Sequence, residues 1–255
     1  MQTHFDTATD SPWRIARRRF AAHRPATHGL ALLMVVVVGD ILAPQLEELF
    51  TDGPVTQALR AGHATLAFAA VAALAGALTG TLWGVLAAGL GRQVGRALAR
   101  AAGWLAALPL ALLPLVVAGL AGRAPLLFDM AVTASVVPGV AVAVHAIARD
   151  AARHEFQAAA EAAGLSRRAI LWRHTVPGAL GPLLAALWPA LPRAMAVESM
   201  ASLLGLGSSQ TWGALIGTAG SGFTLLPAAV LLAATLAALH AVGAGLADAF
   251  AGDRP

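Results

Sequence analysis

Six apolar runs set what this chain can fold into. They cover about residues 30–44, 64–90, 101–120, 125–148, 180–204 and 223–247, and short segments in which arginines collect separate them. A run of about 20 apolar residues crosses the hydrocarbon of a bilayer as a helix, because a helix satisfies its own backbone groups where no water can. The pattern therefore predicts an all-α polytopic membrane protein with six transmembrane helices, the first short and carrying Asp40. The spans and their connections use up the 255 residues, and charged residues make up 12% against about a quarter in an ordinary globular domain, which excludes a soluble fold. Residues 1–27 read as a polar cytoplasmic tail rather than a cleaved signal peptide, followed by one transmembrane unit over 28–250.

All 17 basic residues are arginine, and there is no cysteine. Without lysine the chain cannot carry the phosphate-binding loop of a conventional ATPase, and without cysteine it has no thiolate metal site or disulfide. The arginines sit between apolar runs instead of along one basic surface, which argues against nucleic acid. They mark topology. The clusters Arg14 to Arg24, Arg92 to Arg100 and Arg149 to Arg173 all fall on one side if the N-terminus is inside, with only Arg60 and Arg123 outside and Arg193 within the fifth run. The excess of basic residues in cytoplasmic loops then predicts both termini in the cytoplasm. Gln45 to Gly62 is expected to be a short external loop, and the alanine- and glycine-dense second and third runs are expected to be close-packing surfaces.

Charges inside apolar runs are costly and draw attention. Asp40 and Asp129 lie near span ends, where interfacial placement or pairing explains them; Arg193 and Glu198 lie deeper in the fifth run and are expected to face the protein interior. No two histidines have the i, i+4 spacing of a helical zinc site, and His145 and His240 read as hydrogen-bonded packing residues. Gly220-Ser221-Gly222 lacks the spacing of a nucleophile elbow and reads as a glycine-rich turn, so no enzyme site is expected.

The segment 149–177 differs from the other connections. It reads RDAARHEFQAAAEAAGLSRRAILWRHTVP, with helix formers up to Ala163, a glycine stop at Gly164, and Ser166 as the cap of a second short helix before Pro177. Two short helices along the cytoplasmic face are the expectation. In register, Ala159, Ala160, Gly164, Ser166, Arg173, His174 and Pro177 resemble the loop named for Glu-Ala-Ala in binding-protein-dependent importer permeases, closest to the peptide and nickel class. The acidic position of that motif is occupied by Ala158, with Glu155 and Glu161 three residues to either side and thus on a shared helix face. Downstream, Glu198, Ser202, the run Leu204-Gly205-Leu206-Gly207 and Trp212-Gly213 resemble a second pattern of the same class, at the end of the fifth span.

The resemblance implies the transmembrane fold of type I ABC importers and a permease subunit forming half of a pathway. The solutes it suggests are dipeptides or oligopeptides, nickel or metal chelates. It implies a home in a prokaryotic cytoplasmic membrane and three kinds of partner: an ABC ATPase that binds the ATP and Mg, a second homologous permease, and an extracytoplasmic solute-binding protein. The chain itself would hold no cofactor. Coupling to the ATPase would fall to Glu155, Ala158, Ala159, Ala160, Glu161, Gly164, Ser166, Arg173, His174 and Pro177. Pathway or gate candidates are Arg193, Glu198, Ser202, Gly205 and Gly207. The competing expectation is an ion-coupled secondary transporter or channel using the buried carboxylates, against which stand the two ordered motifs and the lack of an inverted repeat.

Overall fold

A computed structural model describes residues 11–46, 53–122, 124–151, 176–220 and 222–251. Every regular element among them is helical: α1 (Pro12–Ala22), α2 (Arg24–Leu46), α3 (Pro54–Gly89), α4 (Arg96–Ala107) and α5 (Leu113–Ala121), then α6 (Pro125–Ala151), α7 (Val176–Leu187), α8 (Ala190–Leu203), α9 (Trp212–Thr218) and α10 (Gly222–Phe250). Five stretches are long and apolar enough to cross a bilayer: Arg24–Leu42, Pro54–Gly89, Pro125–Ala151, Gly178–Leu203 and Leu225–Phe250. The pair Gly91–Ala107 and Leu110–Ala121, bent by 73°, makes a sixth when taken as one broken span.

Apart from α6, which begins at Pro125 as expected, the helices begin earlier than their apolar runs. Part of the expected tail is α1, whose buried Ala16 and half-buried Ile15 and Phe20 give it one face to dock. The second half of the expected external loop is the start of α3. Pro54 occupies the first turn, where its missing N–H is no loss, and the Thr56 hydroxyl accepts from the Gly53 N–H at 2.9 Å. At 36 residues α3 is roughly 54 Å long, well beyond the roughly 30 Å hydrocarbon slab. The third run is not one straight helix either, because Pro109 cannot donate to the ladder and the chain turns at Leu108–Pro109.

Close contacts fix the direction of each helix. α3 and α6 run parallel, in register from Gly76 against Val136 through Gly80 against Val140 to Gly84 against Val144. A methyl group added at Gly80 would sit 2.7 Å from the Val137 carbonyl oxygen and 2.7 Å from Val140 Cβ, so only glycine lets the backbones approach this far. The expected packing surface of the second run is thus matched to α6, in the most extensive helix contact among the described residues. α10 runs antiparallel to α2, with Gly29 on Ala238 and Gly245 on Ala26. Asp40 Oδ2 meets His63 Nδ1 at 3.2 Å across the α2–α3 hairpin.

One end of the bundle therefore collects the beginnings of α2 and α7 and the ends of α3, α6 and α10, with the Phe250 ring packed on Gly181. α1 folds back onto this end. Trp13 meets Phe250 edge to face with centroids 5.5 Å apart, Arg19 donates to the Ala251 carbonyl at 2.7 Å, and His23 lies 3.3 Å from Asp248. The two ends of the described chain consequently share one side, as an even number of crossings requires. Arg92, Arg96, Arg100 and Arg149 belong to the same end.

Candidate functional site

The fifth run divides at Trp188–Pro189 into α7 and α8, and the turn is pinned by a Trp188 Nε1 bond to the Leu239 carbonyl of α10 at 2.7 Å. α8 ends in a way its glycines dictate. Gly205 has φ +75°, the left-handed conformation that glycine adopts without steric penalty. The Gly205 N–H returns to Ser202 O at 2.9 Å and Leu206 N–H to Ala201 O at 3.1 Å, the two bonds of a Schellman stop. Leu206 then packs on the cluster containing Ala201. Gly207 lies against Ser202 and the Phe128 ring, where any side chain would collide.

Glu198 is 1% exposed and is the hub of this corner. Its carboxylate accepts from the Ser202 hydroxyl at 2.7 Å and the Ser199 hydroxyl at 3.1 Å. Thr211 caps α9, its hydroxyl oxygen accepting from the Ala214 N–H at 3.4 Å. α9 lies close on α8 because Gly213 and Gly217 face the Ser199 and Leu203 backbones directly. Trp212 completes the anchor: its backbone N–H donates to Thr65 Oγ1 at 2.9 Å, its indole N–H donates to Ala58 O at 2.6 Å, and its ring covers Gly62. The motif of the fifth run is thus a brace tying the end of α8 to α9 and α3. Its outer side opens on a cavity of about 480 Å³ lined by Phe68, Phe128, Asp129, Glu198 and Gly207, at the end opposite the arginines.

Arg193 is elsewhere. Five helical residues separate it from Glu198, which puts the two on different faces, and they do not meet. Glu198 faces the interior as expected, while Arg193 is exposed, together with Pro189, Ala196, Met200 and Leu203 on one stripe of α8. Its guanidinium lies over Gly139 of α6, where an added methyl would be 2.6 Å from Nη1. It lines a cavity of about 700 Å³ with His240, and one of about 140 Å³ with Ser135 and the break at Leu108–Pro109. An arginine at mid-membrane costs about 2.5–3.5 kcal/mol on insertion scales, so this face is not one for lipid.

Of the remaining expected positions, Asp40 is paired with His63 and Asp129 is exposed at its span end. His240 Nδ1 is bonded to Leu236 O at 2.7 Å, in keeping with its expected bonding role, whereas His145 Nδ1 is buried without a partner in the described residues. Glu155, Ala158, Ala159, Ala160, Glu161, Gly164, Ser166, Arg173 and His174 lie outside the described residues, as does Ser221; Pro177 falls in the first turn of α7. Sequence reasoning did not single out Thr65, Gly62 or Gly139, since their roles come from partners 54 to 150 positions away. The break at Pro109 was signalled by the proline itself.

Comparison with known proteins covers most of the chain. The family described as binding-protein-dependent transport system inner membrane component matches residues 80–252, and the one described as N-terminal TM domain of oligopeptide transport permease C matches residues 11–57. The Oligopeptide transport system permease protein OppC of Salmonella typhimurium is 34% identical over 105 residues, covering 38% of this chain and 35% of that protein. Its namesake in Escherichia coli K12 is similar to the same extent. The matched stretch thus spans about a third of these relatives' length.

Proposed function

This chain belongs to the family of binding-protein-dependent transport system inner membrane components, and from that premise we propose that it is the permease subunit of an ATP-driven peptide importer, forming half of its path. The observation that carries the reading is the family match over residues 80–252, which takes in both motifs and the helices that flank them. Peptides are favoured over nickel or metal chelates because the similar proteins are named for oligopeptide transport. A second permease completes the path, and an extracytoplasmic binding protein delivers solute. ATP and Mg are bound by a separate ATPase, since the chain has no lysine for a phosphate-binding loop.

The arginine-bearing end faces the cytoplasm in this reading. The connection 149–177 leaves and re-enters the bundle there, between α6 and α7, and is the contact for the ATPase. A push on it reaches α6 and, through α7, the Trp188–Pro189 turn and α8. Gly164, Arg173 and His174 are the residues of that connection to which we assign the coupling.

The chain has no cysteine, so a single one at Ala158 gives an unambiguous cross-link. Purification of the tagged Ala158→Cys chain from its native cells in mild detergent, with mass spectrometry of the adduct, is expected to recover an ATPase joined through that position. Recovery of the chain without any ATPase in several mild detergents rejects the reading and favours an ion-coupled transporter.

A further inference from the structure

We propose that Arg193 is the carboxylate-binding group of the translocation path, holding the free C-terminus of a peptide while it crosses the membrane. This rests on the peptide-importer reading. Gly178–Leu203 forms one span, and Arg193 lies ten residues from its end, or about 15 Å. That depth is too great for the head group to escape into the interface. Among the described residues its guanidinium has neither a hydrogen-bond nor an ion-pair partner. A guanidinium keeps its charge in a protein, so it must meet water or an anion.

The surroundings are built to admit it and to keep that place wet. Gly139 makes room beneath Nη1, where alanine would collide. The smaller cavity reaches the non-helical backbone at Leu108–Pro109, and such backbone at membrane depth is tolerated where protein buries it or water reaches it. The larger cavity, at about 700 Å³, is in the size range of small-ligand sites and has otherwise apolar walls such as Val136, Val140 and Val197. His240 adds one more polar group. With Nδ1 donating to Leu236 O, its Nε2 is left as an acceptor for an amide N–H.

The chemistry matches one class of solute. The planar fork of arginine pairs with a carboxylate through two parallel bonds. Every linear peptide carries that carboxylate whatever its side chains, and apolar walls without donors or acceptors place little demand on those side chains. A single arginine in such a cavity therefore holds many sequences by the one group they share.

The test uses the complete complex in proteoliposomes, with trialanine and trialanine amide as probes and the binding protein's affinity for each measured separately. After correction for that affinity, R193Q is expected to lower trialanine uptake about tenfold or more, the loss of a charged bidentate contact, and to leave uptake of the amide unchanged. R193K recovers part of the trialanine rate. Equal losses for both probes overturn the proposal, and so does failure of the second permease to co-purify with R193Q, which would assign the arginine to the subunit interface. A wild-type complex that moves neither probe overturns the peptide reading itself.

Discussion

Glycine at position 80 sets the distance between the two helices in most extensive contact, and replacing it by alanine tests whether that contact holds the bundle together. The new carbon would lie 2.7 Å from the Val137 carbonyl oxygen and from Val140 Cβ. Non-bonded carbons rest at about 3.5–4.0 Å, so α6 must retreat by roughly 1 Å. One of the two atoms is backbone and cannot rotate aside. A retreat of that size forfeits up to about half of the dispersion energy of each contact along the stripe, and overpacking of this kind costs about 1–3 kcal/mol. Alanine also favours the helix by about 1 kcal/mol over glycine, which works against the loss.

Gly39 in α2 separates the two effects, because among the described residues nothing lies within 4 Å of a methyl group there. Gly39→Ala gains the propensity alone. At about 2–4 °C per kcal/mol for a chain of this size, Gly80→Ala is expected to melt roughly 3–10 °C below Gly39→Ala. The assay is the fraction of detergent-solubilised protein that stays monodisperse after heating, measured for both variants side by side. A Gly80→Ala protein that melts with Gly39→Ala refutes the argument that the α3–α6 distance is set by glycine.

Two further outcomes concern the brace. Trp212→Phe removes the indole bond to Ala58 and is expected to cost about 1 kcal/mol, whereas Trp212→Ala also empties the site above Gly62 and costs about 3–5 kcal/mol; thermal scans that fail to separate the two variants count against the ring as anchor. Glu198→Gln keeps one acceptor for the serine hydroxyls, while Glu198→Ala leaves Ser199 and Ser202 without it at about 1–3 kcal/mol, so stability and uptake fall in the order wild type, glutamine, alanine. An alanine variant as stable and active as wild type removes the carboxylate from the corner.

What could be read from the sequence follows from what the bilayer hides. In water, an amphipathic period gives both the type and the facing of a helix; in lipid the outer and inner faces are equally apolar and the period fades. The six runs were legible because their length alone decides the matter. Their facing was not: depth in the fifth run gave Arg193 and Glu198 the same expectation of facing the interior, and the structure buries Glu198 while Arg193 lies on the exposed stripe. Helix ends gave little signal in the apolar text, yet Pro54 and Pro109 carried the information that moved the start of α3 and broke the third span. The brace was visible as spacing from Glu198 to Gly213, but its receptor was not, because Ala58, Gly62 and Thr65 form no pattern of their own.

The distribution of tight and open contacts bears on how such a chain transmits motion. α3 and α6 are locked by three glycines at four-residue spacing, and α8 is locked at its far end to α9 and α3 by Trp212 and the Glu198 cluster. Those parts move together or not at all, since each contact leaves no slack for sliding. The span that contains α8 is not continuous, however. Its break at Trp188–Pro189 lies between the connection at 149–177 and Arg193, and the turn is held by the indole bond to Leu239 together with the backbone bonds from Trp188 N–H to Leu184 O and from Leu191 N–H to Trp188 O. A displacement entering through α7 meets that turn before it reaches the brace. The element between the turn and the brace is the first half of α8, which carries Arg193 into the 700 Å³ cavity. In the importer reading a displacement passed along the fifth span therefore reaches the carboxylate-binding arginine before it reaches the brace.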